Sequence, residues 1–227
     1  MLPKMSKKST FLQLKENERA YRRDIILSAA IDLFDQYSFH DVGMRDVAEE
    51  AGISPASIYR YFSSRDDILV EILSQDITNG RERQWRRVEA GDATLEEIAA
   101  GIVDFFWERE STLQIVGHFL WNYDVDEEAK RKFRSLQKSY LDEFDRVLVG
   151  MGCEVRNVRL FSKSFFASLF GIIASYRNYP QGADTADAHT NLHLLAQATA
   201  GIFKNGMQHV DLNAVNAAEA YPVAPRE

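Results

Sequence analysis

Apolar residues recur along this chain at three- and four-residue intervals, and no stretch alternates them with a period of two. Helices without sheet are therefore expected. Ile26, Ala30, Leu33 and Phe34 fall at i, i+4, i+7 and i+8, one face of a helix predicted from about Arg19 to Tyr37. A short second helix places Val47, Ala48 and Ala51 inward and stops at Gly52, the residue type that adopts a left-handed backbone without a Cβ clash. Ile53 closes that turn. Ser54 can cap a third helix, Pro55 to about Tyr61, with the proline at its first position, where no N–H is missed. That helix buries Ile58 and Phe62. Pro55, Ala56, Ser57, Tyr59, Arg60 and Tyr61 remain on or near its outer surface. A fourth helix starts near Ser64 or Asp66, carries Ile68, Leu69, Ile72 and Leu73, and extends to Trp85 or beyond.

Every strong period after Gly91 is also helical. Thr94 and Glu97 have capping-box spacing ahead of Ile98, Ile102, Phe105 and Phe106. Ser111 to about Trp121 gives a short apolar helix. Asp126 caps a long one through Val149, with Phe133, Leu136, Tyr140, Phe144 and Leu148 inward, ended by Gly150-Met151-Gly152. Val158 to Tyr179 is apolar over more arc than one packing layer needs and stops at Pro180. After the turn-rich PQGADTADA, a last helix is predicted from about Thr185 to Asn205, ended by Asn205-Gly206. The domain reading is an arm over 1–18, a three-helix unit over 19–65, a helical bundle over 66–208 and a loose tail over 209–227. The fold class is all-α.

The stretch MRDVAEEAGISPASIYRYFSSRDDIL, with RRDIILSAAIDLFDQYSFHDVG before it, resembles the DNA-binding domain of TetR-type transcriptional regulators. AGIS, Ser57-Ile58-Tyr59, Tyr61-Phe62 and Ser64-Arg65 fall at the family's spacing from Ala29-Ala30 and Leu33-Phe34. Three positions depart from the pattern: Ser38 and Ala56 replace usual glycines, and Val42-Gly43 replaces a threonine pair. The resemblance implies a helix-turn-helix coupled to a helical ligand-binding domain, working as a homodimer on near-palindromic double-stranded DNA. It implies that Pro55, Ala56 and Ser57 approach base edges and that Arg45 reaches a guanine or a phosphate. Tyr59, Tyr61 and Arg65 would hold phosphates, Arg60 would lie beside them, and Ser54 would be a cap first and a contact second.

The formal charge of −7 opposes DNA binding only as a sum. Residues 1–65 carry +1 and the remainder −8, while residues 1–23 hold seven basic and two acidic side chains. That asymmetry attracts one end of the molecule to phosphates. The basic run Arg81 to Arg87 reads mainly as a solvated face. No apolar run approaches the roughly 18 to 20 residues of a membrane span, so no membrane partner is expected. A single cysteine, Cys153, and no apolar leader suggest a cytoplasmic protein.

No HExxH, CxxC, GxSxG, GxGxxG or phosphate-binding glycine loop occurs, so neither an enzyme nor a cofactor is expected. His189 and His193 are spaced for two metal ligands on one helical face, yet the sequence supplies no identifiable third. They read as surface or interface histidines, with no metal. Aromatic residues are abundant in the acidic part, and the resemblance makes Phe105, Phe106, His118, Phe119, Trp121, Phe144, Phe166 and Phe170 candidates to bind a small hydrophobic or aromatic effector. Phe165, Leu169, Ile172, Ile173, Tyr176, Leu192, Leu195, Thr199 and Phe203, on the two greasiest helices, are the expected homodimer interface. The function that follows is a transcriptional regulator, a repressor released by its effector. The alternative is a helical ligand-binding or enzymatic domain whose helix-turn-helix serves protein interaction only.

Overall fold

Local capping chemistry sets several helix starts in the computed structural model, which describes residues 7–37, 41–89, 93–122, 124–154, 156–177 and 185–209. Among them are nine helices and no strand: α1 Lys7–Gln36, α2 Met44–Glu50, α3 Pro55–Ile58, α4 Arg65–Glu89, α5 Leu95–Glu108, α6 Glu110–Trp121, α7 Glu127–Gly150, α8 Val158–Arg177 and α9 Thr185–His209. The Thr94 and Glu97 capping box forms, with Glu97 N–H donating to Thr94 Oγ1 at 3.2 Å and Thr94 N–H to Glu97 Oε2 at 2.9 Å. Asp126 Oδ1 accepts from the N–H groups of Glu128 and Ala129 at 3.1 and 2.9 Å. Both satisfy amides that the first helical turn leaves without intrahelical partners.

Three boundaries differ from the sequence reading, the first being α3, which ends at Ile58 and not near Tyr61. Helix α1 begins at Lys7, so the described part of the arm is continuous with the first helix. Helix α9 runs through Asn205-Gly206 to His209, with Met207 buried, because packing of that last turn outweighs the local helix-ending tendency of the pair. The tail from residue 210 and most of the PQGADTADA segment lie outside the described residues, as do the side chains of the Arg81 to Arg87 basic run.

The chain forms two compact units. The first comprises residues 1–80 and 109–136, so the helix-turn-helix shares a core with the start of α4, with α6 and with the first turns of α7. Ile26, Ala30, Phe34, Val47, Ala48, Ile58, Phe62, Leu69 and Leu73 are buried in one cluster with Ile115, Phe119 and Phe133. Phe119 stacks on Phe133 at 4.8 Å between ring centroids.

The second unit comprises residues 81–108 and 137–227 and packs α5, α8 and α9 together with the remainder of α7. Phe144 is fully buried and stacks on Phe165 at 5.3 Å. Ser162 donates to Asp145 at 2.5 Å, and Arg159 bridges Asp142 and Asp145, tying α8 to α7. The expected interface set is corrected here: Phe165, Leu169, Ile173 and Leu192 are buried within this unit, where they have no surface left to offer a second chain. Ile172, Tyr176, Thr199 and Phe203 are half-buried, and Phe203 also meets Phe161 and Phe165 edge to face. Leu195, from the expected set, is exposed, as are Leu160, Leu194 and Ile202, which that set omitted, with Ile202 71% exposed. Periodicity shows two apolar arcs on a helix without saying which one faces inward. Contrary to the reading of the sequence, α8 over Val158–Tyr176 is long and apolar enough to cross a membrane by length and composition alone. Its Phe165, Leu169 and Ile173 arc is committed to the protein core.

Candidate DNA-reading surface and effector-domain residues

Gly52 sits at φ +67°, the left-handed conformation that the turn between α2 and α3 requires. Gly43 provides no side-chain cap for α2, but its N–H donates to Asp46 Oδ2 at 2.7 Å, retaining half of a capping box. Ser54 Oγ accepts from the Ser57 N–H at 3.1 Å and lies 2.8 Å from Ser57 Oγ. After Ile58 the helix tightens into turns, with Arg60 and Tyr61 N–H groups bonded to the carbonyls of Ser57 and Ile58. Ile58 and Phe62 are buried, whereas Ser54, Pro55, Ala56, Tyr59 and Arg60 are exposed along α3 and its flanks, and Arg45 is exposed on α2. Ser57 is half-buried, its hydroxyl engaged with the cap.

Tyr61 and Arg65 are placed differently from the rest. Tyr61 is half-buried against the core, and its side chain helps hold the Arg22 guanidinium above its ordinary pKa, after the larger contribution of Glu18. Arg65 is half-buried with its guanidinium 5.9 Å from the Phe34 ring centroid; desolvation lowers its pKa, and the nearby Asp66 opposes that shift. Sequence reasoning missed Arg23 altogether. Its Nη1 donates to the Tyr61 carbonyl at 2.7 Å, its Nη2 meets Glu71 Oε2 at 3.1 Å, and its guanidinium lies 4.3 Å from the Phe62 ring centroid. One side chain thus ties α1 to the end of the reading element and to α4.

The first turn of α4 is a second anchor. Ser64 Oγ accepts from the Asp67 N–H at 3.1 Å, and Asp67 Oδ2 accepts from the Ser63 N–H at 2.9 Å. Lys132 on α7 donates to Asp67 Oδ1 at 2.6 Å. Desolvation acts to raise the Asp67 pKa, but the hydrogen bonds from Lys132 and Ser63 outweigh it and hold the carboxyl below its usual range. Asp66 behaves alike: burial opposes ionisation, while His118 and the Asp126 N–H lower its pKa overall. Deeper in the same unit Thr112 donates to Asp76, joining α6 to α4.

The expected effector set divides between the units. His118 and Phe119 belong to the first, where His118 is bonded to Asp66 and Phe119 is buried on Phe133. Trp121 is 62% exposed and packs along its own helix over Gly117, so it is not enclosed. In the second unit Phe105, Phe106 and Phe170 form an edge-to-face series, with centroids 5.1 and 6.1 Å apart. Phe166 meets Phe144 at 4.8 Å and Tyr140 at 5.0 Å. Phe105, Phe106, Phe166 and Phe170 are half-buried, whereas Phe144 is wholly enclosed.

An exposed reading element set on a core shared with α4, α6 and the start of α7, in a chain whose second unit is helical and rich in aromatics, belongs to a DNA-binding transcriptional regulator. Residues 26–72 match the model of the tetR family of bacterial regulatory proteins, so the helix-turn-helix segment is of TetR type. The fatty acid metabolism regulator protein of Bacillus subtilis is 24% identical over 151 residues, 63% of this chain and 77% of that protein. The HTH-type transcriptional regulator HbdR of Aromatoleum is 28% identical over 155 residues, 66% of this chain but 58% of that one. In structure, the Thermus thermophilus repressor FadR, solved in complex with lauroyl-CoA, superposes with a TM-score of 0.62 at 18% identity, covering 90% of this chain and 100% of that chain.

Proposed function

We propose that this regulator represses transcription as a homodimer on a near-palindromic operator and is released by an acyl-CoA or a similarly hydrophobic acyl effector. The observation that carries the DNA-reading part is the Ser54-capped element, whose Ile58 and Phe62 are locked inside while Pro55, Ala56, Tyr59 and Arg60 stand outside. Pro55 and Ala56 offer apolar contact to thymine methyls, Arg45 a guanine or phosphate contact, and Tyr59 and Arg60 phosphate contacts. The exposed Leu160, Leu194, Leu195 and Ile202 supply the apolar surface for the second chain. Two copies read half-sites roughly 34 to 36 Å apart, which one short helix cannot do with useful affinity.

Support for the effector class comes from the relatives, one named for fatty acid metabolism and one solved with lauroyl-CoA, and from the half-buried Phe105, Phe106, Phe166 and Phe170. Effector binding would bias the position of α4 and thereby the spacing of the reading elements. A coupling of about 1 to 3 kcal/mol gives roughly a 5- to 150-fold change in operator affinity. The protein would work in the cytoplasm. Gel shifts with the DNA upstream of its own coding sequence, at two salt concentrations and with acyl-CoAs of several chain lengths, test this reading. Steeply salt-sensitive, sequence-preferring binding relieved by one class of acyl-CoA is expected; no preference over random duplex would refute it.

A further inference from the structure

The third ligand absent from the sequence reading of His189 and His193 is Asp104. His189 Nε2 and His193 Nε2 lie 3.0 and 2.7 Å from the same oxygen, Asp104 Oδ1, and the three potential ligand atoms lie within 4.8 Å of one another. The two histidines share one face of α9 because they are four residues apart, and α5 packs along α9, bringing in the carboxylate. From these positions we infer a divalent transition-metal site formed by Asp104, His189 and His193, with Zn2+ its first candidate. The inference is independent of the effector proposed above.

The donor set selects the ion. Two imidazoles and one carboxylate suit Zn2+, Co2+ or Ni2+, whereas Mg2+ and Ca2+ favour all-oxygen shells. Tetrahedral zinc with bonds of about 2.0 to 2.2 Å places its ligand atoms roughly 3.3 Å apart. The two nitrogen-to-oxygen distances, 3.0 and 2.7 Å, need to open by a few tenths of an ångström, and the two nitrogens, within 4.8 Å of one another, need to draw together by up to about 1.5 Å, a movement open to two partly exposed imidazole side chains. The side chains retain 36%, 25% and 46% of their exposure for His189, His193 and Asp104, which leaves the outer positions of the ion to water or a further ligand. That makes the site exchangeable, with three protein ligands and an open face, unlike a closed structural zinc site. The Trp107 ring stands 5.0 Å from the His189 ring and provides a built-in reporter.

Chelator-treated full-length protein titrated with Zn2+ by calorimetry should bind one ion per chain. Co2+ should give tetrahedral visible absorption and quench Trp107 fluorescence over the same concentration range, with the quenching lost in Trp107→Phe. His189→Gln and His193→Gln should each weaken Zn2+ binding by more than about 100-fold, beyond the roughly 10- to 100-fold that loss of a supporting residue commonly costs. Asp104→Asn keeps an oxygen that can accept from both histidines but loses the anionic ligand, so it separates metal binding from a purely structural contact. Its Zn2+ affinity should fall while its circular dichroism stays that of the parent. Cys153→Ser should bind as the parent does. Failure of the parent to bind Zn2+, or unchanged affinity in folded Asp104→Asn or in the folded double variant His189→Gln/His193→Gln, overturns the inference.

Discussion

His118 Nε2 and Asp66 Oδ1 stand 2.8 Å apart, joining α6 to the first turn of α4 within the unit that holds the helix-turn-helix. Asn122 Nδ2 lies 2.7 Å from His118 Nδ1; with that amide donating, the imidazole proton sits on Nε2 and points at the carboxylate. The other Asp66 oxygen accepts the Asp126 N–H at 2.8 Å. His118→Ala leaves this largely buried carboxylate short of one donor and should destabilise the protein by about 1 to 3 kcal/mol. Urea unfolding measures it. An unchanged midpoint would mean that water replaces the imidazole without cost.

Acid should weaken the same region through a neighbouring pair. The Asp67 carboxyl, held below its usual range by Lys132 and Ser63 against the opposing effect of desolvation, is a group whose folded pKa is depressed. Its stabilising contribution is therefore complete above the unfolded aspartate value of about 3.9 and is lost as pH falls through the lower folded value. Asp67→Asn should be less stable than the parent at neutral pH, and the gap should narrow as pH drops below about 4. Unfolding midpoints across a pH series decide this; a gap independent of pH would show that the pair contributes by packing alone.

Two arginines should separate positioning from contact. Arg23→Ala removes the bond to the Tyr61 carbonyl, the Glu71 contact and the guanidinium on Phe62. It should weaken operator binding through disorder of the reading element while leaving the slope of log affinity against log salt nearly unchanged. Arg60→Ala, losing a proposed phosphate contact, should reduce that slope by about one unit. Equal slopes for the two variants would contradict the assignment of Arg60.

Gly52→Ala tests backbone strain without steric conflict. An added Cβ meets nothing within 4 Å, but φ +67° is disfavoured for any L side chain. A loss of about 1 to 2 kcal/mol is expected, read as a lower Tm. At temperatures where both proteins are folded, operator affinity should change little.

Caps and turns were legible in the sequence because each is settled within a few residues: Gly52, Ser54, Thr94 with Glu97, and Asp126 all act as their spacing predicts. Groups that meet across long separations were not. Arg23 reaches Tyr61 over 38 positions, His118 reaches Asp66 over 52, and His189 reaches Asp104 over 85. Helical periodicity carries no information about such meetings. It also left inside and outside undetermined on α8 and α9, so Phe165 and Leu192 were assigned to the dimer surface while Leu160 and Leu194 were passed over. The aromatic set read as a single effector site belongs in fact to two separate units.

The shared core of the helix-turn-helix with α6 limits how this protein can be cut. A fragment ending at residue 65 would carry the whole reading element yet leave Ile58 and Phe62 without Leu69, Leu73, Ile115 and Phe119 to cover their cluster. Such a piece should be a poor DNA-binding module on its own. A chimera grafting a foreign sensor onto this reader should therefore retain α6 and the beginning of α7, although both come far later in the chain.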